Sequence, residues 1–134
     1  MTLNKNLTIT TVTAAIILTS SPARSGSDID YTRYYSKMYD KCMERSDGME
    51  TESNCVENEL NFQEGRLNQA YIMVMRKLPE AEKDALRAYQ RQWVANRDAD
   101  CFRKAGPANN ASVRWAWGCQ IDETVKRRLQ LEKY

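Results

Sequence analysis

Leu86, Gln90, Trp93, Arg97 and Cys101 stand four, three, four and four residues apart, which puts them on one side of an α-helix. Nothing between Leu86 and Cys101 breaks that helix, because the stretch contains neither Pro nor Gly. An ordinary core stripe is aliphatic throughout. This one joins an aromatic anchor to an amide, a guanidinium and a thiol, so it must pack, find hydrogen-bond partners and supply a cross-link. Asn68, Thr124 and Arg127 also stand on or beside apolar faces. Wherever such groups are buried they need partners. Two arrangements would provide them: a hydrogen-bond network tying three long helices together, which the residues favour, or a functional groove.

Catalytic reagents are scarce. The chain has no histidine, the commonest general base. It lacks a Gly-rich phosphate loop, a G-x-S-x-G elbow and an S-x-x-K motif. Asp98 and Asp100 are two residues apart and point different ways on a helix, so they read as a solvated face. Cys42, Cys55, Cys101 and Cys119 are an even set in a small chain and read as two disulfides with three possible pairings. Zinc is disfavoured by the missing histidines and the absence of C-x-x-C. The expectation is a binding protein, with no enzymatic activity, no metal and no cofactor.

Export fits this use of cysteine. Lys5 precedes an uncharged run from Leu7 to Leu18, and small residues follow. Residues 1–25 therefore read as a signal peptide, cut after Ala23 or Ser25. The run is too short to span a bilayer, which takes about 20 apolar residues. From Gly26 onward there are 18 basic and 18 acidic residues, which argues against nucleic-acid or anionic-membrane binding. Charge is nevertheless divided: residues 26–64 carry a net −6 and residues 65–134 a net +6. Halves that pack together would neutralise each other.

The elements that must position these side chains are all helical. Tyr31 to Arg45 predicts a short leading helix with Tyr31, Tyr35, Met38 and Cys42 on one face. Ser46-Asp47-Gly48 is a turn, and Thr51 or Ser53 can cap a long helix over Asn54 to Lys77. Its apolar stripe (Val56, Leu60, Leu67, Tyr71, Val74, Leu78) is interrupted at Gln63 and Glu64, and Gly65 is a weak point open to close helix approach. Pro79 marks a hinge, and Gly106-Pro107 ends the second long helix. Ser112 can cap a third, Val113 to about Glu132, with Val113, Trp117, Ile121, Val125 and Leu129 as its stripe. Short connections make neighbours antiparallel. The predicted fold is all-α, a small antiparallel bundle of three long helices plus a short leading helix, in one domain over residues 26–134.

The matched residues are Cys42 and Cys55 around Thr51, L-N-Q-A-Y at 67–71, the 86–101 stretch, and C-Q-I-D-E-T-V-K-R at 119–127. Over roughly 41–131 the chain resembles the lysozyme inhibitor LprI-like N-terminal domain family of small exported bacterial proteins. The resemblance implies pairing of Cys42 with Cys55 and of Cys101 with Cys119, although Cys55 and Cys101 would also lie level in a hairpin about Pro79. It carries over apolar anchors at Leu67, Tyr71, Leu86 and Trp93 and polar positions at Asn68, Gln90, Arg97, Thr124 and Arg127. With these, the 86–101 helix reads as the centre of the bundle. No cysteine directly follows the apolar leader, so no lipid anchor is expected and the location implied is periplasmic or secreted. The partner implied is a lysozyme. The alternative is an envelope accessory module that binds another protein. Arg114 and Trp115, beside the 106–112 loop, are the candidate partner contacts, because an inhibitor must reach a cleft holding two carboxylates.

Overall fold

A computed structural model describes residues 29–134; the proposed signal peptide and its cleavage sites lie outside them. A single 3-10 turn, Tyr31–Tyr34, is followed by α1 (Lys37–Glu44), α2 (Met49–Lys77), α3 (Glu80–Ala105) and α4 (Asn110–Leu131). No strand occurs among the described residues. The fold is all-α, with two disulfides, Cys42–Cys55 and Cys101–Cys119. Each bridge joins two successive helices, and each is worth about 3 kcal/mol in lost unfolded-chain entropy.

The leading helix is split rather than continuous. Ser36 caps α1, its hydroxyl accepting the Tyr39 N–H at 3.1 Å. Its own N–H is held by Glu59 on α2 at 2.9 Å, so the chain turns at Tyr35–Ser36. Met38 consequently leaves the expected face and is 75% exposed. Helix α2 begins at Met49 instead of Asn54, because Thr51 acts as a third-position partner that accepts the Gly48 N–H at 3.2 Å. Asn109, and not Ser112, caps α4. The two bond reciprocally: Asn109 Oδ1 accepts the Ser112 N–H and Ser112 Oγ accepts the Asn109 N–H, each at 2.9 Å. Gly106 closes α3 at φ 81°, a conformation that favours Gly.

The centre of the bundle is α4, not α3. It packs against α2, α3 and the 3-10 turn, and it is buried around most of its circumference, with Ala116, Ile121, Thr124 and Val125 fully enclosed. Two apolar clusters result. One joins Val56 and Leu60 to Ile121 and Val125 beneath Tyr31, Tyr34, Tyr35, Tyr39 and Trp117. The other joins Leu67, Val74, Leu86 and Leu131 to Tyr71 and Trp93. The charge halves do meet, through ion pairs Arg114–Glu52 and Arg97–Glu64.

Tyr35 donates a hydrogen bond to Asp122 at 2.9 Å, which docks the leading segment on α4. Burial raises the Asp122 carboxyl above its usual range, while the bond from Tyr35 opposes part of that rise. Burial and the Asp122 charge raise the Tyr35 phenol. A raised carboxyl favours folding most at low pH, and the benefit is lost as pH rises through the raised value. Asp122→Asn keeps an acceptor for Tyr35. Its stability relative to wild type should increase between about pH 3 and pH 6 in urea titrations; a constant difference would refute the assignment. Gly65 faces open space, with no atom within 4 Å of an added Cβ, so no neighbouring helix uses it for close approach. Gly65→Ala should therefore stabilise the protein by about 0.5–1 kcal/mol, read as a higher thermal midpoint.

Candidate functional site

The interruption in the α2 stripe is a polar layer between the two apolar clusters. Cys55, Glu59, Gln63 and Leu67 follow one another at intervals of four and are all buried. Glu59 accepts from Ser36 and from Gln63 Nε2, the latter at 2.7 Å. Gln63 Nε2 also donates to the Tyr34 carbonyl at 2.9 Å. Neither residue stands out among apolar neighbours in the sequence; the signal that could have found them is their unbroken four-residue ladder from the cysteine.

On the opposite side of this layer Arg97, 7% exposed, reaches three helices. Nη1 donates to Thr124 of α4 at 2.8 Å. Nη2 pairs with Glu64 of α2 and Asp98 of α3, each at 2.8 Å. The guanidinium lies 5.4 Å from the Trp93 ring centroid, within cation–π range. Asp98 is not simply solvated: besides Arg97 it accepts from Gln120 Nε2 at 3.1 Å. Arg127 donates through Nε to Gln90 Oε1 at 3.0 Å and stacks 4.7 Å from the Tyr89 ring. Gln90, Arg97, Thr124 and Arg127 thus belong to contacts between α3 and its neighbours. Asn68 does not: it is exposed and makes no side-chain hydrogen bond among the described residues. The basic run near the end of α4 is also more than a helix-end feature, since Arg127 and Arg128 are both buried.

Where α2 and α3 diverge beside this network they leave a groove of about 390 Å³. Leu67, Asn68, Tyr71, Gln90 and Arg97 line it, with Glu64, Arg87, Arg91 and Val94. Leu86 and Trp93 are absent from the lining and pack in the second apolar cluster. The groove is mostly apolar at its base and carries guanidinium groups along the α3 wall.

The other candidate contacts sit at the end of the bundle where α3 turns into α4. Trp115 is 50% exposed and projects near the loop. Arg114 is not free to reach a partner, because its guanidinium is engaged by Glu52 of α2. Phe102 is exposed on the α3 side. The Cys101–Cys119 bridge and the Asn109–Ser112 cap brace this end. Among the described residues no group of three or more metal-ligating side chains occurs, and no helix is long and apolar enough to cross a membrane.

Arg97→Lys keeps the charge but cannot reach Thr124, Glu64 and Asp98 together. It should lower stability by about 1–3 kcal/mol in denaturant unfolding; a change within error would show that the network does not hold the helices.

Compared with known proteins, the chain matches the family described as lysozyme inhibitor LprI over residues 42–131. No curated protein and no solved structure matches.

Proposed function

The chain belongs to the lysozyme inhibitor LprI family, and from that premise we propose that it is an exported protein that binds lysozyme and blocks its cleft. The family match carries this reading. The action is steric and electrostatic, and the chain contributes no catalysis of its own. Disulfide pairing of all four cysteines supports an oxidising location outside the cytoplasm.

A cleft is entered by a projection, not by a groove. The α3–α4 end offers Trp115 as an exposed aromatic anchor, and Lys104, in the last turn of α3, has no ion pair among the described residues. An exposed aromatic and a free cation suit a partner site that holds two carboxylates. The bridge and cap behind the loop fix its shape before contact, which lowers the ordering cost of binding. The net −6 of residues 26–64 suits a basic partner exterior and would speed encounter.

Chicken-type and goose-type lysozymes assayed on cell-wall substrate with the oxidised protein should lose activity at micromolar inhibitor. Trp115→Ala should weaken inhibition by about 2 kcal/mol, roughly thirtyfold, with an unchanged thermal midpoint. No inhibition of either lysozyme type at that concentration would overturn the proposal. Capture of a different envelope protein in place of a lysozyme would favour an accessory role.

A further inference from the structure

The α2–α3 groove has no part in the lysozyme contact proposed above, yet its polar groups are arranged with a consistent sense. Arg127 can only donate hydrogen bonds, so Gln90 must turn its oxygen toward it, as the 3.0 Å contact shows. Arg127 is itself buried and held by the Tyr89 ring and Gln130. Gln90 Nε2 is thereby left as a fixed donor on the groove wall. One residue on, Arg91 has no ion-pair or hydrogen-bond partner among the described residues. Arg87, a turn before, is engaged only by the exposed Asp84. The one carboxylate lining the groove, Glu64, is paired with Arg97. The open polar groups of the α3 wall are therefore all donors, two of them cationic. Directly beside them lies an apolar surface of Leu67, Tyr71 and Val94.

We propose that this groove binds the carboxyl terminus of a short apolar peptide. The terminal carboxylate is received by Arg87, Gln90 and Arg91, and the terminal side chain lies on Leu67, Tyr71 and Val94. A carboxylate matches guanidinium and amide donors in charge and in planar geometry. An amine would be repelled, and a neutral ligand would leave the cations unanswered. A terminal residue carries its carboxylate and side chain on one carbon, which fits donors and apolar surface set side by side. The volume of about 390 Å³ is at the small end of ligand sites, which run about 300–1,000 Å³, and suits one or two residues rather than a docked helix.

The test is a titration of the oxidised, isotope-labelled protein with N-acetyl-leucyl-leucine, as the free acid and as its carboxamide, followed by NMR. The free acid should shift the Gln90 side-chain amide and the Leu67 and Tyr71 backbone signals in a saturable way at millimolar concentration. The carboxamide should bind at least about tenfold more weakly. Arg87→Ala/Arg91→Ala alters two exposed side chains and should lose at least about tenfold in affinity for the acid with an unchanged spectrum elsewhere. Equal binding of acid and carboxamide, shifts scattered outside the groove, no shift at all, or unchanged affinity in the double variant would each overturn the proposal. Lysozyme inhibition should be unaffected by the double variant, and peptide binding unaffected by Trp115→Ala, so the two readings fail separately.

Discussion

The buried guanidinium of Arg97 is the contact on which the arrangement of the three long helices depends. It is enclosed between α2, α3 and α4 and finds an acceptor on each. Removing such a charge from water is expensive, and it is tolerated only where the acceptors are held at the right distances. Net stabilisation from the group is therefore modest, while its demand on geometry is strict. An axial slide of α3 by one turn would bury the cation away from Glu64 and Thr124. The apolar clusters on either side have no comparable preference, since aliphatic surfaces accept many registers at similar cost.

The rest of the polar layer follows the same logic. Glu59 and Gln63 secure the junction between the 3-10 turn and α1, so a segment with little core of its own acquires one docked position. Arg127 orients Gln90, and Asp98 is shared by Arg97 and Gln120. Helix α4 supplies most of these buried groups because it lies between the other two. A helix covered on two sides cannot expose its polar residues. It must find partners for them: Asp98, Arg97 and Gln90 of α3 answer Gln120, Thr124 and Arg127, and Glu132 at the end of α4 itself answers Arg128.

Much of this architecture was legible in the chain. Pro79 and Gly106-Pro107 mark the two reversals between long helices, and the apolar intervals identify the helices themselves. The location of the centre was not legible. Hydrophobic spacing assigns one apolar face per helix, and α4 shows such a face at Val113, Trp117, Ile121, Val125 and Leu129. Its second buried side is made of Gln120, Thr124, Arg127 and Arg128, polar residues that hydrophobic spacing does not mark as a buried face even where, as at Thr124 and Arg127, they stand beside the apolar one. The same cause hid Glu59 and Gln63, which read as a gap in a stripe. Within the candidate site, Trp93 packs in an apolar cluster and Arg97 is hydrogen-bonded across helices, both on the single face that the spacing of the 86–101 stretch defines. That Leu67, Asn68 and Tyr71 would face Gln90 and Arg97 across a groove depended on how α2 and α3 pack about α4, which hydrophobic spacing does not give. The ion pair that holds Arg114 likewise depends on Glu52, which is brought close only because α2 starts a full turn before Asn54.

The two disulfides join the first cysteine to the second and the third to the fourth, an order that would suit a chain threaded amino end first into an oxidising compartment. Cys55 and Cys119 would each emerge with the proper partner already present and unclaimed. Oxidation in order of arrival therefore yields the final connectivity directly, with no bridge to be broken and remade. The first helical pair could be sealed while the second is still arriving, and between α1 and α4 the joint left uncrosslinked is the Leu78–Pro79 reversal. The molecule is in effect two covalently closed hairpins on a common hinge, assembled in sequence and brought into register by one arginine.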